Sequence, residues 1–243
     1  MRRHHYKPYL GEHGAVIRPA PTTNGITARY ENFSHSGTTW FDVTPTPANG
    51  TDGTIGAAFT WPAFNGESFV NFGDPAKLEF ATDFSVVAWY RQSIDPPTQG
   101  YERIVSRDTI AAAGGVTTRC FSLQQRDDTG TAQGFIHNNV GNVNPVASGT
   151  YNTGTYHMAV LVNDASNTNA YYYVDGIVRS TKIGQGGPVT TWGSINTEAG
   201  RHQLTGNTQD YFTGDIDTVR FYNRALSPDE ILNDYNAGKP AHP

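Results

Sequence analysis

The stretch Tyr211–Asn236, YFTGDIDTVRFYNRALSPDEILNDYN, constrains the fold of this chain more than any other. Gly214-Asp215 is a turn pair that resets the backbone ahead of a strand. From Asp217 to Tyr222 the residues alternate. Val219 and Phe221 point one way and Thr218, Arg220 and Tyr222 the other, which is the period of a strand. Ser227-Pro228-Asp229-Glu230 then opens a helix. Ser caps it, Pro suits the first helical position, and Glu three residues after the Ser completes a capping box. Ile231, Leu232 and Tyr235 give the helix one apolar side, and Gly238 is expected to end it. A chain that closes this way is a β-protein with a small helical lid.

Composition agrees. The chain has 243 residues, enough for one large β-sandwich with a substantial core. Its 26 Gly and 14 Pro favour short strands and many turns. Only 16% of residues are charged, too few for a coiled coil or a charged disordered chain. No apolar run approaches the roughly 18 residues of a membrane span. The opening MRRHHYKPYLGEHG is basic but no apolar segment follows, so no cleaved secretory leader is expected. The lone Cys120 excludes an internal disulfide framework and reads as a small buried residue.

Charge is unevenly placed. Arg2, Arg3, Lys7 and Arg18 stand against Glu12 within residues 1–20, a balance of +3. That leaves −8 for the remainder of a chain whose net charge is −5. Residues 1–28 have scattered Pro and Gly and no sustained period, and read as an extended arm. A basic arm on an acidic body points to an acidic partner or a neighbouring copy, or else to a solvated tail.

Beyond the arm, turn signals separate short apolar runs. Asn65-Gly66 lies between apolar residues, a strong turn signal. Asp83 to Arg91 is apolar on both faces, as in a strand covered on both sides. Arg103–Ser106, Cys120–Gln125 and Phe135-Ile136 read as further strands, with Asp127-Asp128-Thr129-Gly130 turning the chain before the last. Ala170 to Arg179 reads as a hairpin with a type I′ turn at Asp175-Gly176. No fixed internal period is present, which excludes a propeller.

The run GDIDTVRFYNRALSPDEI resembles the closing signature of laminin-G-like, concanavalin-A-like jelly rolls. Upstream segments resemble the same family in the same order. These are Phe33, Asp42 and Asn49-Gly50-Thr51, then Phe64-Asn65-Gly66 with Phe69-Val70 as a hairpin. Phe84, Ser85 and Trp89 follow in a Phe-Ser/Thr-x-x-x-Trp strand, then Tyr156-His157 with Ala159-Val160, and Leu204 to Asn207. Thr44-Pro45 departs from the usual Ser-Gly and Tyr156 from the usual Trp. The resemblance covers about residues 30–236. It implies an all-β, two-sheet antiparallel jelly-roll sandwich, concanavalin-A-like, with a short C-terminal helix and an extended N-terminal arm. The expected boundaries are an arm at 1–28, one domain at 29–238 and a tail at 239–243.

Chemistry is sparse. Glycoside hydrolysis needs two carboxyl groups about 5–9.5 Å apart. The nearest pattern, Asp215-x-Asp217, is followed at position 220 by Arg in place of the Glu that would complete it. Gly37-x-Thr39-Trp40 is half of a sialidase Asp-box, present once. The eight histidines lack zinc spacing, and His157 reads as a structural donor inside a strand. Neither a Gly-x-Ser-x-Gly elbow nor a P-loop is present. The acidic body disfavours nucleic acid, and the sequons at Asn32 and Asn49 carry little weight without a leader. The resemblance implies one structural Ca²⁺ near Asp217 and Asp42, although Thr218 stands where relatives often carry Glu. For glycan, exposed aromatics and amides are the groups to seek. Tyr172, Trp192, Asn196 and Arg201 are the candidates, with three consecutive tyrosines at 171–173 placing at least one in the core.

The expectation drawn from all this is a non-enzymatic virion surface protein, a capsid decoration or fibre-associated protein, located at the virion surface. Its arm (Arg2, Arg3, Lys7, Arg18) would dock on other copies of itself or on a capsid or fibre protein, without nucleic acid or membrane. The alternatives are a lectin-like module for cell-surface glycan, extracellular, and a polysaccharide-cleaving glycosidase.

Overall fold

The computed structural model describes residues 24–31, 35–36, 39–40, 50–54, 63–93, 100–110, 118–126, 129–151, 153–189, 195–201, 203–204 and 210–242. The first strands are β1 (Ile26–Glu31), β2 (His35–Ser36), β3 (Thr39–Trp40), β4 (Gly50–Thr54), β5 (Ala63–Asn65) and β6 (Ser68–Asn71). Then come β7 (Phe84–Gln92), β8 (Tyr101–Ile110), β9 (Thr118–Arg126), β10 (Ala132–Asn138), β11 (Gly141–Val143) and β12 (His157–Asp164). The chain closes with β13 (Asn169–Val174), β14 (Ile177–Ile183), β15 (Glu198–Ala199), β16 (Gln203–Leu204), β17 (Thr213–Tyr222) and helix α1 (Pro228–Gly238). None of the helices among the described residues is long and apolar enough to cross a membrane.

The strands form two sheets. The first runs β1-β17-β7-β12-β13-β14, with β5 beside β17. The second runs β11-β10-β9-β8-β15-β6-β4-β3-β2, with β16 parallel to β8 and the other pairs antiparallel. Between them lies the main core. Val86, Ala88 and Tyr90 of β7 and Val219 and Phe221 of β17 meet Val105, Phe121, Leu123 and Ile136 of the second sheet. This is the two-sheet antiparallel sandwich expected from the sequence.

Strand β7 is apolar on both faces because it is covered on both. Val87 and Trp89 turn to the outer side of the first sheet and join Met158, Val160, Tyr222, Leu226 and Ile231 in a second cluster under α1. The alternation read in Asp217–Tyr222 has this cause. Val219 and Phe221 fill the sandwich, and Tyr222 packs beneath the lid.

The capping box forms as expected. Ser227 Oγ accepts from the Glu230 N–H at 3.3 Å, and Glu230 Oε2 accepts from the Ser227 N–H at 2.9 Å. Arg224 donates to both Glu230 oxygens, at 2.8 and 2.6 Å, and this pairing holds the Glu230 carboxyl down at about 2. Two details differ from the sequence reading. Leu232 is 44% exposed, so Ile231 and Tyr235 carry the packing. Gly238 adopts right-handed helical angles, and the chain runs on into a turn of 3-10 helix, Lys239–Ala241. What Gly238 provides is proximity: an added Cβ would lie 2.7 Å from Trp89 Cζ2.

Other turns follow local chemistry. Asp175 and Gly176 have φ of 55° and 77°, the positive pair of a type I′ hairpin. Asp175 also explains His157, whose Nδ1 lies 2.8 Å from Asp175 Oδ2; this is the structural role read for that histidine. Asn65-Gly66 does turn the chain, but not into a hairpin. β5 pairs with β17 in the first sheet and β6 with β4 and β15 in the second, so the turn carries the chain across the sandwich. Residues 26–28 already pair with β17, while residues 1–23 lie outside the described part.

Candidate functional site

The site is set by strand alternation on the second sheet. In β9, Phe121 and Leu123 point into the sandwich, so Ser122 and Gln124 point out. In β10, Ala132 and Ile136 point in, so Gln133 and Phe135 point out. Register aligns Gln133, Gln124 and Arg103 in one row across β10, β9 and β8. Asn142 of β11 and Asn144 beyond it flank this row, and Asp210 reaches it from the segment before β17. With Tyr101, Asp108 and Phe135 these residues line a cavity of about 480 Å³.

Arg103, Asp108, Gln124 and Gln133 are buried at its floor, Asp210 is half-buried, and Asn142 and Asn144 are exposed at its edge. Gln124 and Gln133 are 5% and 6% exposed. Ser122 Oγ is 3.1 Å from Gln124 Oε1, which leaves that amide's N–H donors for another partner. His137 Nδ1 lies 2.7 Å from Asn142 Oδ1 in the same way. Arg103 Nη2 is 3.9 Å from Asp210 Oδ2, and the Arg103 N–H donates to the Asp210 carbonyl at 3.2 Å. Tyr101, 37% exposed, has the guanidinium carbons of Arg103 and Arg126 over its ring, 5.7 and 5.4 Å from its centroid. Two cations on one ring hold it in place. Asp108 is 2% exposed, and its Oδ1 has no hydrogen-bond partner. An aromatic ring at the lip over a floor of amides and carboxyl groups suits a hydroxyl-rich ligand.

The residues singled out from the sequence fall elsewhere. Tyr172 is fully buried between the sheets and cannot stack on a ligand; burial pushes its phenol well up. The alternation around it leaves Tyr171 half-buried on the outer side. Arg201 is a packing residue. It pairs with Glu198 through two hydrogen bonds of 2.8 and 2.9 Å, donates to Tyr211 Oη at 3.2 Å and lies 3.1 Å from the Phe69 ring centroid. Asn196 is half-buried in the segment before β15. Trp192, Asp42 and the arm residues Arg2, Arg3, Lys7 and Arg18 lie outside the described residues.

Asp217, one of the two residues named for calcium, has two partners within the chain, and Asp42, the other, lies outside the described residues. His242 Nε2 lies 2.7 Å from Asp217 Oδ2, and Thr218 Oγ1 donates to the same atom at 3.2 Å. Among the described residues no group of three or more His, Cys, Asp or Glu is placed to hold a metal. The neighbouring Asp215 is ion-paired with Arg91 and accepts from Tyr156 Oη. Neither Asp215 nor Asp217 lines the groove.

Sequence reasoning missed every residue of the groove. Its signal was present in β9 and β10 as amides at alternate positions, Gln124 and Gln133, next to core apolar residues. A second cavity, about 460 Å³, lies on the outer face of the first sheet beside Tyr171, Tyr173 and Asp164. Its carboxyl groups are satisfied internally: Asp83 accepts from Ser166, and Asp164 from Asn167.

Fold and groove together define a two-sheet antiparallel β-sandwich with a polar groove on the outer face of one sheet. The family model described as "Concanavalin A-like lectin/glucanases superfamily" matches residues 64–232, well over half of the chain. The chain belongs to that superfamily. No curated protein matches it at the level of sequence. Among solved structures, it is similar to the binding domain of Paraclostridial Mosquitocidal Protein 1, with 13% identity and a TM-score of 0.64 over 88% of this chain and 52% of that one. It is also similar to Trypanosoma rangeli sialidase in complex with sialic acid, with 16% identity and a TM-score of 0.63 over 90% of this chain and 34% of that one. Ruminococcus gnavus IT-sialidase CBM40 bound to α2,6-sialyllactose gives 16% identity and a TM-score of 0.56 over 66% of this chain and 86% of that one. The chain thus spans about half of the first of these and a third of the second. At such identities the likeness is one of fold.

Proposed function

We propose that this protein is a non-catalytic carbohydrate-binding module that takes glycan in the groove of the second sheet. The observation that carries the reading is the held, exposed ring of Tyr101 beside the buried amides of Gln124 and Gln133 and the buried carboxyl group of Asp108. A sugar's apolar face would lie on Tyr101, and its hydroxyls would exchange hydrogen bonds with Gln124, Gln133 and Asn142. The ring is positioned before any ligand arrives, so little entropy is lost on ordering it. The similar solved structures support this reading, since they are a binding domain and complexes with sialic acid or sialyllactose.

The lectin-like alternative therefore displaces the virion-docking one. Docking rests on residues 1–28, of which 1–23 lie outside the described part, whereas the groove is built from described strands. Catalysis by Asp215 and Asp217 is disfavoured because each is tied to a neighbouring cation or donor. A glycan array followed by calorimetric titration of the best ligand tests the proposal. Tyr101→Ala should weaken binding about tenfold, equivalent to roughly 1.4 kcal/mol. A protein that binds no glycan, or a variant that binds as well as the parent, removes the reading.

A further inference from the structure

We infer that the second cavity, on the outer face of the first sheet, binds a primary ammonium group carried on an apolar stem. It lies on the other sheet from the groove and is independent of the carbohydrate reading. Three observations carry it. The first is the wall. Tyr171 and Tyr173 stand two apart on β13 and share its outer face, with ring centroids 6.3 Å apart and planes inclined at 48°. Val162 lies beside Tyr171 in register on β12, and Leu226 and Pro228 close the other side. Ser85 holds that closing segment, donating to the Arg224 carbonyl at 3.0 Å and accepting from the Leu226 N–H at 2.9 Å. The cavity, about 460 Å³, is thus built before a ligand arrives.

The second is charge. Asp83 and Asp164 line the cavity, and both are half-buried. Asp83 accepts from the Ser166 N–H at 2.9 Å and from its hydroxyl at 2.6 Å. Asp164 accepts from the Asn167 N–H at 3.2 Å and from its side-chain amide at 3.0 Å. Those donors are neutral, and among the described residues no Lys, Arg or His pairs with either carboxylate. The guanidinium at the cavity, Arg224, is matched by Glu230. Asp164 also reaches the aromatic wall: burial raises the Tyr173 phenol, and Tyr171 and Asp164 raise it further. An ammonium would bring the charge these carboxylates lack, against tyrosine rings that attract a cation.

The third is the balance of donors and acceptors. Ser166 and Asn167 turn their donors to the two carboxylates, and Arg224 turns its own to Asn24, Ala225 and Glu230. The hydroxyls of Tyr171, Tyr173 and Ser227 remain, and a hydroxyl accepts as well as donates. Tyr173 is 4% exposed and lines the cavity, and its hydroxyl, not fully covered, has no hydrogen-bond partner in the described chain. A sugar, whose hydroxyls call for donors as well as acceptors, finds few donors here. An ammonium brings donors and no acceptor, the complement of this lining. Its stem would lie on Leu226, Pro228 and the tyrosine rings.

The test titrates the whole chain at neutral pH with n-pentylamine, followed by amide chemical shifts, beside 1-pentanol, which has the same stem and no charge. The amine should bind at least about tenfold more tightly than the alcohol, with the shifts centred on Tyr171, Tyr173 and Leu226. Asp83→Asn and Asp164→Asn each keep an oxygen for the turn N–H and remove the charge. Each, checked for the parent melting temperature, should weaken the amine about fivefold and leave pentanol unchanged. If neither variant folds, the comparison of amine with alcohol on the parent chain still decides. Nα-acetyl-lysine methylamide, run alongside, separates the two sources of such a group. Its binding assigns the site to a lysine side chain, and binding of pentylamine alone assigns it to small amines. Pentanol that binds as tightly as the amine, or an amine that neither folded variant weakens, overturns the inference. So does a chain that binds no amine, and none of these outcomes touches the carbohydrate reading.

Discussion

Replacing Gly238 by Ala sets two effects of opposite sign against each other, and the structure says which wins. Gly238 is the last residue of α1, with φ −82° and ψ −35°. Ala adopts those angles without strain, and helix propensity alone would gain about 0.5–1 kcal/mol. Against this stands Trp89. A Cβ on residue 238 would lie 2.7–2.8 Å from Trp89 Cζ2, Cε2 and Nε1, well inside van der Waals contact. The indole has little room to retreat. It is 1% exposed and stacks with Tyr235 at 5.7 Å and His242 at 4.2 Å, both nearly parallel to it. Overpacking of this kind costs about 1–3 kcal/mol. The net expectation is a loss of about 1–2 kcal/mol, read as a fall in melting temperature of about 2–8 °C for a chain of this length. Asn236→Ala, on the exposed side of the helix, is the control. Trp89→Phe removes the ring atoms that clash, so a double-mutant cycle should show coupling above about 0.5 kcal/mol. A Gly238→Ala protein that melts at or above the parent temperature would refute the packing argument.

Two further predictions concern ionisable groups. Glu230 is held at about 2, down from 4.5, chiefly by Arg224. Because the folded value is depressed, the stabilisation is present above about pH 4.5 and is lost as pH falls toward 2. Its side chain is 31% exposed, so solvent screening limits it to about 1 kcal/mol. Glu230→Gln should therefore lower the melting temperature at pH 7 and converge with the parent near pH 2. A gap independent of pH contradicts this. The Cys120 thiol is fully buried and pushed up to about 12 by that burial. A thiol reagent at pH 8 should label it only as fast as the protein unfolds, and rapid labelling of the folded chain would show the site to be open.

The sequence by itself determined what neighbouring residues decide. Ser227 and Glu230 close a capping box because they stand three apart. Asp175-Gly176 turns a hairpin because those residues tolerate positive φ. Asp83–Arg91, with apolar side chains on both faces, had to lie under two layers. Such signals act within a few residues, and all three appear in the fold. What the sequence left open was phase and partnership. Alternation shows that one of Tyr171, Tyr172 and Tyr173 differs from its neighbours, but only the opposing sheet makes Tyr172 the one buried inside the sandwich. Arg201 has the chemistry of a ligand contact until Glu198 and Tyr211 are seen to hold it. The groove was least legible. Tyr101, Asp108, Gln124, Gln133, Asn142 and Asp210 come from strands and loops far apart in sequence. Sheet register, set by the burial of the opposite face, brings them together. The closing strand and helix announce the sandwich from within one stretch of chain, and the site exists only once four other strands are paired.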